Sequence, residues 1–202
     1  MNILENRIYR ALDTLTNFFL LNILWLLACV PIITIFPATA ALFAVIRGWV
    51  RGTNSATFKP FFHYMRENFA QSLTIGLLWS VIGVILVVDF LFVQGMTSWV
   101  RVPLFVIFGA VLLAYLATAV FLFPVMVHFR CGWLQVIRNA FLIAFSSPGM
   151  TLMGLFTIAL AGLAVVYVPF SILVIGSLTA YGIYLLCQRT FERVETAMND
   201  KD

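Results

Sequence analysis

"CVPIITIFPATAA", residues 29–41, decides how this chain folds. It places two prolines, Pro31 and Pro37, inside a 33-residue apolar run from Phe18 to Val50. A proline in a helix interior removes a backbone hydrogen bond and clashes with the turn before it. The run is therefore a kinked helix, the turn of a helical hairpin, or an unwound segment at a binding site. One helix of that length would measure about 50 Å, well beyond the roughly 30 Å hydrocarbon core of a bilayer.

Composition says the run belongs in a membrane. Of 202 residues, 63% are hydrophobic and only 10% charged, where a soluble domain holds about half and about a quarter. The excess lies in segments near 16–30, 37–50, 71–94, 102–128, 149–168 and 169–187. No linker or soluble module interrupts them, which predicts one integral membrane domain over residues 1–202. The fold class read from this is all-α: a polytopic membrane helix bundle of about six membrane segments, the first two a short Pro-containing hairpin.

The charges choose between six spans and five. If residues 16–50 form a hairpin, Arg7, Arg10, Arg47, Arg51, Lys59, Arg66, Arg130, Arg138, Arg189, Arg193 and Lys201 all fall on one side. Only Arg101, in the Gly95–Pro103 connection, falls on the other. Basic loops stay in the cytoplasm, so this pattern predicts a multi-pass protein of the cell membrane with both termini cytoplasmic. With one kinked span instead, Arg7 and Arg10 would lie opposite Arg47 and Arg51. The net charge of +4 thus reads as topology and contact with the lipid bilayer, not as a nucleic-acid surface.

Within the hairpin, Pro37 suits the first turn of a helix and Pro31 suits a chain leaving one. Residues 31–36 are expected to be an extended connection, with helix from Pro37. That second helix is short, about 21 Å from Pro37 to Val50, so the turn would sit below the surface, where irregular backbone needs protein or water against it. Pro31 and Pro37 are the structural helix break. Thr34, Thr39 and Asn22 are candidate ligand-binding residues there, for a hydroxylated or anionic ligand; the alternative is a structural turn capped by threonine. Asp89, the acid inside a predicted span, is a fourth candidate. Its plainer reading is an interfacial acid hydrated from outside or paired with Arg101.

Two further segments look interfacial rather than spanning. In residues 57–73, Phe58, Phe61, Phe62, Met65, Phe69 and Leu73 follow helical spacing, leaving Lys59, His63, Arg66 and Glu67 for a wet face. In 132–145, Trp133, Val136, Ile137, Ala140, Phe141 and Ala144 line one side. Both are expected as cytoplasmic interfacial amphipathic helices, with Phe61, Phe62, Arg66, Trp133 and Arg138 as interfacial or partner-contact residues. Phe-Pro at 36–37 and 123–124, and Arg-x-x-Phe at 66–69 and 138–141, hint at a weak internal repeat. Gly76 with Ser80, and Gly176 with Ala180, are small-residue pairs that permit close helix contact. Asn17 and Asn22 read first as glue between helices.

Catalytic constellations are missing. The sequence holds no phosphate loop, no metalloprotease motif and no nucleophile elbow. Cys29, Cys131 and Cys187 make no paired motif, and His63 and His128 alone do not supply a metal's three or four ligands. No catalytic residue, metal or cofactor is expected.

Leu21-Asn22, Trp25, Pro31, Thr34, Pro37-Ala38-Thr39-Ala40, Phe61-Phe62 and Asn68-Phe69 together resemble the YesL-like family of bacterial membrane proteins, over roughly residues 7–75. The resemblance implies a small multi-pass protein encoded near carbohydrate ABC importers and polysaccharide-degrading enzymes. It implies an accessory or regulatory role in carbohydrate uptake, with importer subunits as partners. The chain lacks the E-A-A-x-x-x-G loop of an ABC permease. The second reading is a small solute transporter or channel with a polar site at 31–39.

Overall fold

Pro31 ends the first helix. In the computed structural model, α1 (Ile3–Cys29) stops two residues before it, and a 3-10 turn over Ile32–Thr34 runs straight into α2 (Ile35–Val50). The chain is described over residues 3–53, 56–95, 99, 101–129 and 131–199, with side chains from Leu12 to Thr190. The extended connection expected over 31–36 is therefore a tight helical turn. Thr34 makes it so: its hydroxyl lies 2.5 Å from the carbonyl of Ala28 and 2.6 Å from that of Pro31, covering acceptors left open where α1 ends. Pro37 is the third residue of α2, where its missing N–H would have had no partner. The earlier start also lengthens the second crossing to Ile32–Val50. Val30, Ile32 and Ile33 at the turn are exposed rather than sunk in protein.

The remaining helices are α3 (Phe58–Glu67), α4 (Phe69–Gln94), α5 (Arg101–His128), α6 (Trp133–Ser146), α7 (Pro148–Tyr167) and, after a second 3-10 turn, α8 (Ile172–Asn199). Six segments are long and apolar enough to cross a membrane, and α6 is apolar but too short. The chain is a multi-pass, all-helical membrane protein. Residues 57–73, expected as one helix, are two. Asn68 breaks them, its side chain donating to the Tyr64 carbonyl at 2.9 Å and its own carbonyl accepting from Ser72 at 2.6 Å.

The helix at the axis is α2, packed by α1, α3, α4, α5 and α8. Over half of its span is buried, against less than a third in each of the others. Ala38, Ala40, Ala41, Ala44 and Gly48 are all buried, and this stripe of small side chains lets neighbours approach closely. Around it, α1 and α8 run antiparallel. Asn22 donates to the Ile172 carbonyl at 2.6 Å and accepts from the Ser177 N–H at 2.9 Å, while Ser177 Oγ donates to the Phe18 carbonyl at 2.9 Å. Both small-residue pairs supply a glycine at a close crossing. A Cβ on Gly76 would fall 2.1 Å from the Phe36 ring, and one on Gly176 would fall 2.5 Å from Asn22 Oδ1.

Two corrections concern the short helices. Phe61 is fully buried in the core rather than available to a partner, because α3 folds back against α2. On α6 the buried stripe is Val136, Ala140, Ile143 and Ala144, while Trp133 and Phe141 are exposed. The architecture does repeat: α2–α3–α4 and α5–α6–α7 are each a span, a short helix and a span. The Phe-Pro pairs are not its markers, since one opens α2 and the other lies near the end of α5.

The crossing at Gly76 gives a test. Gly76→Val must displace the Phe36 ring, and overpacking of this kind costs about 1–3 kcal/mol. Unfolding of the purified chain by heat or by SDS titration should show that loss.

Candidate functional site

The polar chemistry of the chain gathers where α2 ends. Gly52, with φ of +66°, closes α2 in the left-handed conformation that glycine alone adopts without strain. The Gly52 N–H then bonds to the Trp49 carbonyl at 3.1 Å, and the Thr53 N–H to the Gly48 carbonyl at 3.0 Å, a Schellman closure. The stretches of α1 and α8 around Asp13 and Tyr184 and the end of α5 at His128 meet here, and Arg47, Arg51, Lys59, Arg66, Arg138 and Arg189 belong to the elements of this end. Arg101 opens α5 at the opposite end, its guanidinium 5.3 Å from the Phe105 ring centroid. Arg130 and Lys201 lie outside the described residues, as do the side chains of Arg7, Arg10 and Arg193.

On the α1/α8 side of α2 is a hollow of about 490 Å³. Its floor is aromatic: Phe18 meets Trp49 edge-on at 5.1 Å and Tyr181 edge-on at 5.2 Å. Its rim is polar, with Asp13, Thr14, Asn17 and Thr53. The rim is oriented from outside it. Thr57, buried just before α3, donates to Asn17 Oδ1 at 2.8 Å, which turns the Asn17 amide nitrogen toward Asp13 at 3.4 Å. The indole N–H of Trp49 is buried with no partner among the described residues.

On the α3/α5 side is a smaller hollow of about 250 Å³, lined by Arg47, His63, Tyr64, Glu67 and Asn68. His63 and Glu67 approach to 3.7 Å one helical turn apart. Arg47 donates to the Val127 carbonyl, one of the acceptors that the last turn of α5 leaves open. Arg51 lies 3.3 Å from the His128 ring, and His128 lies 3.5 Å from the Tyr184 hydroxyl. Together these contacts tie the ends of α2, α5 and α8. Burial raises the Cys131 thiol above its ordinary range, which makes it a poor nucleophile at neutral pH. No cluster of three metal-capable side chains occurs among the described residues.

The residues singled out by sequence do not converge on one ligand. Asn22 joins α1 to α8. Thr34 is spent on the turn, and Thr39 donates to the Ile35 carbonyl at 2.8 Å while accepting from Trp25 Nε1 at 3.2 Å. Asp89 is exposed on α4 and makes no ion pair with Arg101. Phe62, Arg66, Trp133 and Arg138 are exposed on α3 and α6. The aromatic hollow is what sequence reading missed: its residues come from positions 13–18, 49–53 and 181, and only the fold brings them together.

Residues 18–90 match a family model described as "Protein of unknown function, DUF624". Three Bacillus subtilis (strain 168) proteins are similar. "Uncharacterized protein YesL" is 30% identical over 180 residues, covering 87% of this chain and 85% of the relative. "Uncharacterized protein YteU" is 33% identical over 129 residues, 61% of this chain and 57% of the relative. "Uncharacterized protein YesV" is 28% identical over 148 residues and 70% of each. No solved structure matches the chain.

The Arg47 contact is testable alone. Arg47→Met keeps much of the stem but leaves the Val127 carbonyl without its charged donor, a loss of about 1.5–3 kcal/mol. SDS-titrated unfolding should register it.

Proposed function

The chain belongs to the YesL-like family, and from that premise we propose that it is an accessory or regulatory component of carbohydrate uptake, with no catalysis of its own. It would sit in the bacterial cell membrane with both termini in the cytoplasm, acting on importer subunits through α3 and α6. The observation that carries this reading is the contrast between the axis and the basic end. Along the axis, α2 is packed on all sides, and the polar side chains of the broken-helix segment are spent on backbone and neighbours. At the basic end, Phe62, Arg66, Trp133, Leu134 and Arg138 are exposed on two short helices, the mixture of aromatic and arginine side chains that anchors interfaces. The link to carbohydrate comes from the family resemblance. A transporter with its site at 31–39 has less support, because Thr34 and Thr39 have no hydroxyl proton left for a solute.

Orientation is read by labelling. In a background without Cys29, Cys131 and Cys187, Ile33→Cys should react with a membrane-impermeant maleimide on intact cells, and Thr53→Cys only after permeabilisation. The opposite pattern would reverse the topology. For the partner, crosslinking in native membranes followed by mass spectrometry should recover ABC importer subunits. Phe62→Ser with Arg66→Glu should abolish that crosslink and leave the folded chain intact. Phe61→Ala, by contrast, should cost stability, about 3–5 kcal/mol for a buried phenylalanine. Repeated recovery of no importer subunit would sink the proposed role.

A further inference from the structure

Away from the basic end, α4 and α5 part between two sets of rings. Trp79 stacks on Tyr115 at 4.8 Å at the deep end, and Phe90 meets Phe108 at 5.4 Å and Phe105 at 6.0 Å near the tip. Between them lies a cleft of about 620 Å³ whose walls include Gly83, Val84, Val87 and Leu112. We propose that this cleft docks one anionic phospholipid of the leaflet away from the basic end, its acyl chains between the helices and its phosphate on Arg101.

The walls select hydrocarbon. Ser80 and Tyr115 carry the only hydroxyls among the described lining residues, and the Tyr115 hydroxyl donates to the Trp79 carbonyl at 3.2 Å. Gly83 lets Tyr115 lie across α4, since a Cβ there would fall 2.6 Å from the Tyr115 oxygen. The section selects chains over a helix. Ser80 to Phe90 spans about 15 Å of α4, so a volume of about 620 Å³ gives a section of about 40 Å². A hydrocarbon chain is about 5 Å across at ordinary carbon contact, and two fit side by side. A partner's helix, about 10–12 Å across, needs at least twice that section.

Arg101 receives the head. On α5, Arg101, Phe105, Phe108, Leu112 and Tyr115 follow one another by four, three, four and three residues, so one stripe carries both the arginine and the cleft wall. The guanidinium lies 5.3 Å from the Phe105 ring centroid, one turn towards the cleft. From Tyr115 to Arg101 is about 21 Å of helix, and one leaflet with its headgroups is about 20–22 Å thick. A phospholipid with its phosphate on Arg101 therefore ends its chains near the Trp79–Tyr115 floor. The partial positive charge at the start of α5 favours the same anion. Asp89 does not oppose it, because it lies about 200° round α4 from Val87, on the side away from the cleft.

The site is independent of the importer role proposed above. The experiment is photolabelling of the full chain in phosphatidylcholine nanodiscs, with phosphatidylglycerol carrying a diazirine near the end of one acyl chain as the probe. Peptide mapping should place the adducts on residues 79–90 and 108–115. Unlabelled phosphatidylglycerol should compete for them, and diacylglycerol with the same chains but no phosphate should compete at least tenfold less. Arg101→Gln should cut the labelling by about tenfold, the scale of a lost hydrogen bond to a charged group, and Arg101→Lys should retain most of it. Val87→Trp, at an exposed position of the wall, should fill the cleft and abolish labelling without loss of helical circular dichroism. Adducts spread evenly over the lipid-facing sides of α4, α5 and α7, or labelling that Arg101→Gln leaves unchanged, would overturn the proposal. So would Val87→Cys disulfide dimers in place of lipid adducts, which would assign the cleft to a second copy of the chain.

Discussion

The structure depends on one constraint: a short central helix must be covered on every side. α2 holds 16 residues, about 24 Å of helix, and its neighbours include four of the other spans. Lipid offers no hydrophobic drive for helices to associate, so close approach and dispersion must hold them. Alanine and glycine along α2 allow that approach, and Gly76 and Gly176 serve the same end on α4 and α8. Once α2 fills the axis, polar groups inside the spans such as Asn22 and Ser177 are taken up by bonds between helices, and the described cations lie at the ends. Arg47 and Arg51, one turn apart where α2 stops, anchor the end of α5, and His128 there reaches Tyr184 of α8, so the central helix also organises the site.

Much of the fold was legible from the two prolines and from the arginines. Pro31 and Pro37 forced a break, helix length ruled out one continuous crossing, and the basic residues then placed the hairpin and the spans after it. The details that escaped were local. The turn is 3-10 rather than extended because the Thr34 hydroxyl caps the end of α1, a contact that spacing does not announce. The break at Asn68 was hidden by apolar residues on both sides of it, although asparagine commonly bonds to its own backbone at helix ends. Phe61 looked like an interfacial aromatic beside Phe58 and Phe62, but only one of three neighbouring phenylalanines can turn inward when α3 folds onto α2.

The aromatic hollow was illegible for a different reason. Asp13 and Asn17 lie one turn apart on α1, but Tyr181 is far away in sequence and meets them only because α1 and α8 run antiparallel. Trp49 reads as an ordinary interfacial indole until Phe18 is seen against it. One signal was available: Arg51-Gly52-Thr53 after an apolar helix marks a left-handed closure, and that closure sets Thr53 on the rim. Conversely, Thr34, Thr39 and Asn22 were conspicuous as polar residues in apolar surroundings, and the same scarcity explains why each is consumed by structure. A hydroxyl or amide in a span finds a partner within the protein or carries a large desolvation cost.

The depth of the polar groups therefore separates structural from available chemistry. Asn22 lies well inside the spans and has both ends of its amide engaged by α8. Asn17, little more than one turn nearer the basic end of α1, shares its amide between Thr57 and an exposed carboxylate. The two differ in water access rather than residue type, since a group near the interface can exchange a water partner for a ligand at small cost. A donor in the spans has only the protein to turn to.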